Sequence, residues 1–191
     1  MKKRIVIADD EPITRMDISE ILEEAGYDVV GQASDGFDAI ELCKKFRPHL
    51  VLMDVKMPLL NGMKAAKVIK EEELADCIAL LTAYSSKEFI EEAKEVGVMA
   101  YIVKPIDERN LLPAIEVALA KSEEIKKIKG DIKKTKEKLE ARKLIEKAKG
   151  ILVKNHGISE DEAYNKIRKL SMDKRYPMQT IAHAIIMNDG L

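Results

Sequence analysis

Tryptophan is absent from this chain, cysteine occurs only twice, and no apolar run approaches the length of a membrane span. Each scarcity excludes something. Crossing a bilayer takes about 20 consecutive apolar residues, so no helical span is expected and no membrane partner. The opening Met1-Lys2-Lys3-Arg4 leads directly into Ile5-Val6-Ile7, a strand-like run rather than the hydrophobic region of a leader, which predicts a cytoplasmic protein. Cys43 and Cys77 fit no metal-binding or redox spacing and are expected to be reduced, buried thiols. There is no internal repeat and no low-complexity tract. What remains is 191 residues, 46% hydrophobic and 35% charged, enough for one α/β domain and a smaller module.

The net charge of −1 hides a split. Residues 1–120 carry 15 Lys and Arg against 23 Asp and Glu, a balance of −8, whereas residues 121–191 carry 18 against 11, a balance of +7. The two parts are therefore expected to meet different partners, and the basic one suits nucleic acid.

Short apolar runs at 4–8, 28–32, 49–54, 77–82 and 98–103 alternate with helical patterns near 12–25, 36–46, 63–72 and 87–95 and a fifth from 107. Five strand-then-helix alternations predict an α/β fold, a five-stranded parallel sheet doubly wound by helices in the flavodoxin-like manner. Gly26 and Gly97 sit where helix ends need a left-handed residue, and Ser85 with Glu88 forms a capping-box pattern.

In such a sheet, ligands bind beyond the carboxyl ends of the strands. Asp9 and Asp10 end the first strand there and Asp54 ends the third, and clustered carboxylates call for a hard, oxygen-seeking cation. Thr82 ends the fourth strand, and Lys104-Pro105 follows the fifth. A hydroxyl and an ammonium beside those carboxylates match the oxygens of a transferred phosphoryl group.

Asp9-Asp10-Glu11, the Met-Asp-Val-Lys-Met-Pro run at 53–58, Gly62, Leu81-Thr82-Ala83, Tyr101 and Lys104-Pro105 resemble the response-regulator receiver family over nearly all of residues 4–120. The resemblance implies that Asp54 is the phospho-acceptor. It also implies that Asp9 and Asp10 hold Mg²⁺ with Asp54 and the Lys56 carbonyl, that Thr82 and Tyr101 form the switch pair, and that Lys104 contacts the phosphate through a cis Lys104–Pro105 turn. A sensor histidine kinase is the implied donor, and the only implied enzymatic activity is slow self-dephosphorylation.

From Leu111 the pattern changes. Leu111, Ala118, Ile125, Ile132 and Leu139 recur every seven residues, with Ala114, Ile128 and Thr135 three positions after their partners. Lys121 and Arg142 interrupt the seam, and Gly130 falls on its outer face. The expectation is a helical connector over 121–141 with coiled-coil character that pairs with its twin, giving a homodimer on phosphorylation; the alternative is a single amphipathic helix leaving the first domain. Residues 142–191 read as a small three-helix domain. Its first helix continues the connector and stops at Gly157, its second opens at Ser159/Glu162 and ends near Lys174, and its third follows Pro177.

This last stretch has no zinc spacing, Gly-rich phosphate loop or nucleophile elbow, and His156 and His183 read as isolated capping or surface residues. From Arg142 through Leu152, His156 through Tyr164, Ile167-Arg168-Lys169, Met172-Asp173, Arg175 and Ile181-Ala182 it resembles the ANTAR domain, the RNA-binding output of AmiR- and NasR-type antiterminators. Ser171 stands where that family usually carries Ala, and its hydroxyl is expected to bond back to its own helix. The resemblance implies binding of leader-RNA stem-loops that prevents transcription termination, with Arg142, Lys147, Lys149, Lys154, Arg168, Lys169, Lys174, Arg175 and Tyr176 as candidate contacts and Tyr164 in the core. The combination is most similar to ethanolamine-utilisation antiterminators, on the Asp-Asp-Glu-Pro-Ile-Thr-Arg run at 9–15. The runner-up is a DNA-binding transcriptional response regulator, disfavoured because no helix-turn-helix with a basic recognition helix is evident; a protein-binding output is a third possibility.

Overall fold

The computed structural model describes residues 2–83 and 87–188. Its elements follow the alternation in the sequence: β1 (Arg4–Ala8), α1 (Pro12–Glu24), β2 (Asp28–Ala33), α2 (Gly36–Phe46), β3 (Leu50–Asp54), α3 (Gly62–Glu71), β4 (Cys77–Thr82), α4 (Lys87–Val96), β5 (Ala100–Val103), α5 (Glu108–His156), α6 (Glu160–Lys174) and α7 (Met178–Asn188). The five strands form one parallel sheet in the order β2-β1-β3-β4-β5. All five residues of β3 and all six of β4 are buried, the continuous apolar pattern of strands covered on both faces.

Side-chain alternation along the strands builds two cores. Val6, Ala8, Val51 and Met53 pack toward α2 and α3 with Ala39, Ile40, Ala65 and Ile69. Ile5, Ile7, Leu50 and Leu52 pack on the other face with Ile18 and Leu22 of α1 and Leu111, Ile115 and Ala118 of α5. Cys43 and Cys77 are free and buried, and burial pushes their thiols up to about 12 and about 11. Gly26 and Gly97 have φ of 86° and 78°, the left-handed geometry expected at those helix ends. The Ser85/Glu88 capping box lies outside the described residues.

The chain divides into two compact units, residues 1–126 and 127–191. The fifth helix, the connector and the first helix of the last module are one continuous element of 49 residues. Part of the heptad seam is covered by the first domain: Leu111 and Ala118 are fully buried against the sheet, Ile125 is half-buried, and Ile128, Ile132, Thr135 and Leu139 stand exposed. At the amino-terminal edge of the sheet, Ser122 Oγ donates to the Asp76 carbonyl at 3.0 Å, Lys126 pairs with Asp76, and Lys3 pairs with Glu123.

In the second unit, Ala148 and Leu152 of α5, Ala163 and Ile167 of α6 and Ala182 of α7 form the buried centre. The predicted capping box is present: Ser159 N–H donates to Glu162 Oε2 at 2.8 Å, and Glu162 N–H donates to Ser159 Oγ at 3.2 Å. Two expectations are corrected. Tyr164 is 42% exposed, because the buried stripe of α6 runs through Ala163 and Ile167 instead. Ser171 does not bond back within its helix; its Oγ donates to the Tyr176 carbonyl at 2.6 Å, closing the turn in which Arg175 adopts φ 56°. Among the described residues, no helix is long and apolar enough to cross a membrane.

Candidate functional site

At the carboxyl edge of the sheet, β1 delivers Asp9 and Asp10, β3 ends on Asp54, β4 ends on Thr82, and Lys104 follows β5 directly. Asp10, Asp54, Thr82 and Lys104 line one cleft of about 300 Å³, with Lys56 and Ala83 among others, and the buried Asp9 is bonded to its Lys104. Tyr101 lies on β5 and is 44% exposed, outside the lining. The Lys104–Pro105 bond is cis.

Pairing fixes the cleft's floor. Asp54 and Leu81 are register partners across β3 and β4, Thr82 pairs with Val103, and Lys104 N–H donates to the Thr82 carbonyl at 2.8 Å. The β3–α3 loop is held by close backbone approach. A Cβ on Gly62 would lie 1.9 Å from the Asp54 carbonyl oxygen, and one on Gly36 would lie 2.5 Å from the Leu60 carbonyl oxygen, so only glycine fits at either place.

Lys104 Nζ donates to Asp9 Oδ2 and to Asp54 Oδ2, both at 2.8 Å. Asp9 Oδ1 accepts from Glu11 N–H at 3.0 Å, so both oxygens of this fully buried carboxylate are engaged. Asp10 is exposed. Burial raises the pKa of Asp54, with Asp9 adding to the shift, while Lys104 and the Lys56 N–H oppose it. Burial alone would lower the pKa of Lys104, but its two carboxylate partners outweigh this and hold it above the ordinary lysine value.

Oxygens of Asp9, Asp10 and Asp54 all lie within 4.8 Å of one another. That is an all-oxygen, anionic donor set, which fits a hard divalent cation such as Mg²⁺ and no soft metal. Sequence reasoning missed Arg15, whose Nη1 donates to the Asp9 carbonyl at 2.7 Å.

Of the candidate nucleic-acid contacts, Arg142, Lys147, Lys154, Arg168, Lys169, Lys174, Arg175 and Tyr176 are exposed, spread over α5, α6 and the turn before α7. Lys149 differs. Its side chain is 13% exposed and pairs with Glu146 at 3.0 Å and Glu160 at 3.2 Å, joining α5 to the start of α6. Its ammonium bridges two exposed glutamates.

The sequence matches the response regulator receiver domain over residues 5–116 and the ANTAR domain over residues 133–186. It is 43% identical over 188 residues, 98% of this chain and 91% of the other, to the transcriptional regulatory protein PdtaR of Mycobacterium tuberculosis. It is 36% identical over 119 residues to the chemotaxis protein CheY of Bacillus subtilis, covering 62% of this chain and 99% of that one. The solved structure of Vibrio cholerae chemotaxis protein CheY4 superposes with a TM-score of 0.59 at 29% identity, covering 62% of this chain and 99% of the other.

Sheet order, acidic cleft and these likenesses define a response-regulator receiver. Receivers of this kind bind Mg²⁺ at an acidic pocket, and the donor set of Asp9, Asp10 and Asp54 fits that ion. The whole chain belongs to the family of response regulators that join a receiver to an ANTAR domain, a family of phosphorylation-regulated antitermination regulators.

Proposed function

We propose that this protein accepts a phosphoryl group on Asp54 from a sensor histidine kinase and in response binds leader-RNA stem-loops, preventing transcription termination. The observation that carries the reading is a Lys-bridged acidic cleft and a basic ANTAR module on one chain.

Transfer breaks the P–N bond of a phosphohistidine and forms a P–O bond to an oxygen of Asp54. Bound Mg²⁺ supplies charge neutralisation for the phosphoryl oxygens. Asp9, Asp10, Asp54 and the Lys56 carbonyl would hold the ion, and Asp9 also orients Lys104 through its Oδ2. On transfer, Lys104 passes from the Asp54 carboxylate, to which it donates at 2.8 Å, to a phosphoryl oxygen. The new group adds about −1.5 to −2 charge. Thr82 hydrogen-bonds to it, and Tyr101 moves inward from its half-exposed position on β5. The biased surface favours a homodimer through the exposed part of the connector seam.

In the output, exposed lysines and arginines neutralise phosphate while unpaired loop bases supply specificity, with Tyr176 as the stacking candidate. Within this family the 9–15 run resembles that of ethanolamine-utilisation antiterminators; in the structure Pro12 opens α1, Thr14 bonds to Glu11, and Arg15 bonds to Asp9.

Incubation with a small phosphodonor and Mg²⁺ should label the wild type and leave Asp54→Ala unlabelled, and labelling should raise affinity for leader stem-loops over duplex DNA of equal length. Labelled Asp54→Ala overturns the acceptor assignment. Equal affinity for hairpin and duplex at physiological salt overturns the RNA reading.

A further inference from the structure

Arg15 sits at the end of the first turn of α1, yet its side chain points back to the end of β1. Its Nη1 donates to the main-chain carbonyl oxygen of Asp9 at 2.7 Å, a short, charge-assisted hydrogen bond. The contact completes an unusual degree of restraint on one residue. Asp9 N–H donates to the Ala33 carbonyl at 3.1 Å, its Oδ1 accepts from Glu11 N–H at 3.0 Å, and its Oδ2 accepts from Lys104 at 2.8 Å. With Arg15 on the carbonyl, every polar atom of Asp9 has a partner.

Three of those four bonds have evident purposes: one continues the sheet, one turns the chain into α1, and one compensates charge. The fourth acts on the next residue. The Asp9 carbonyl belongs to the planar peptide that joins Asp9 to Asp10. A strong donor on that oxygen fixes the rotation of the plane, which places the Asp10 N and Cα, and with the φ of Asp10 sets where its Cα–Cβ bond points. Asp10 itself is exposed, and its side chain makes no hydrogen bond among the described residues. Its aim toward Asp54 therefore depends on its backbone. A guanidinium suits this task because its donors form a planar, rigid fork.

We propose that Arg15 is a positioning residue for the divalent cation: it holds the Asp9–Asp10 peptide so that the Asp10 carboxylate faces Asp54. The proposal rests on the reading of the acidic cleft as a Mg²⁺ site. Arg15 touches neither Asp54 nor the phosphoryl position, so it governs metal affinity and leaves the transfer step itself alone.

Calorimetric titration of the full chain with Mg²⁺ tests this, alongside the Mg²⁺ dependence of labelling by a small phosphodonor. The wild type should bind one ion and Asp10→Ala none. Arg15→Ala should bind on the order of 10-fold more weakly, the lower end of the loss produced when a ligand's orienting partner is removed. Its apparent KM for Mg²⁺ in labelling should rise, with the rate at saturating Mg²⁺ unchanged. Arg15→Lys, which keeps a charged donor, should recover part of the affinity. Ser122→Ala provides the contrast. It loses a buried hydrogen bond at the opposite edge of the sheet, so its Tm should fall while its Mg²⁺ affinity stays at the wild-type value. If Arg15→Ala does not fold, Arg15→Met keeps the stem and deletes the donors. Wild-type Mg²⁺ affinity in Arg15→Ala or Arg15→Met overturns the proposal while leaving the metal site standing. Failure of the wild type to bind Mg²⁺ overturns both.

Discussion

Gly62 and Asp54 are in backbone contact: a methyl group on Gly62 would lie 1.9 Å from the Asp54 carbonyl oxygen and 2.8 Å from its carbonyl carbon. Backbone is on both sides of that contact, so no side chain can swing away to relieve it. Gly62→Ala should cost about 1–3 kcal/mol of stability, the usual penalty of overpacking, and should slow labelling of Asp54. Chemical denaturation and phosphodonor kinetics on the same samples measure both. Unchanged stability would mean that the loop has another arrangement.

Lys104 is the ammonium that reconciles Asp9 with Asp54. Lys104→Ala should destabilise the unliganded protein, though by less than the about 3–5 kcal/mol of a fully buried pair, because the Lys104 side chain is 22% exposed. The cation then becomes the sole remedy for the carboxylates. Mg²⁺ should therefore raise the Tm of Lys104→Ala by more than it raises the wild-type Tm. Thermal melts with and without Mg²⁺ decide the point, and equal shifts would show that Lys104 does not compete for the same charge.

The exposed apolar positions Ile128, Ile132 and Leu139 are what remains of the heptad seam once the sheet has covered its beginning. A short seam predicts weak association that a phosphate mimic strengthens. Light scattering should show the wild type shifting from monomer toward dimer with the mimic, and Ile128→Lys combined with Ile132→Lys should abolish the shift. A shift that survives both substitutions places the dimer contact elsewhere.

Lys149 and Lys169 should behave differently although both lie in the basic module. Lys169 is exposed, and Lys169→Ala should reduce the slope of log affinity for RNA against log salt by a little under one while leaving the melt intact. Lys149 is committed to Glu146 and Glu160, so Lys149→Ala should lower the module's stability and change the slope little. Filter-binding at several salt concentrations, paired with circular dichroism melts, separates the two.

The strands and the cleft were legible because each rests on a local pattern. Leu50–Met53 reads as a buried strand in any context, and an aspartate at its end can lie only at the ligand-binding edge of the sheet. The first turns of α5 were not. Leu111 and Ala118 fit a seven-residue repeat, but the periods 3.5 and 3.6 diverge too slowly over two turns to tell a coiled-coil seam from a helix lying on a sheet. Lys149 illustrates another limit. Its partner Glu160 lies eleven positions away on the next helix, and nothing in the spacing marks that meeting. Arg15 likewise reaches a main-chain oxygen, a partner that carries no side-chain signature at all.

Gly36 and Gly62 give the cleft one wall that cannot yield. The Leu60 carbonyl is pressed onto Gly36 at the start of α2, and the Asp54 carbonyl onto Gly62 at the start of α3, so the β3–α3 loop is wedged between two helix ends. With Asp54 phosphorylated as proposed, a load at its side chain would meet a rigid abutment on that side and be relieved across the cleft, where β4 ends on Thr82 and β5 on Val103. Two glycines would then make the cleft a one-sided lever.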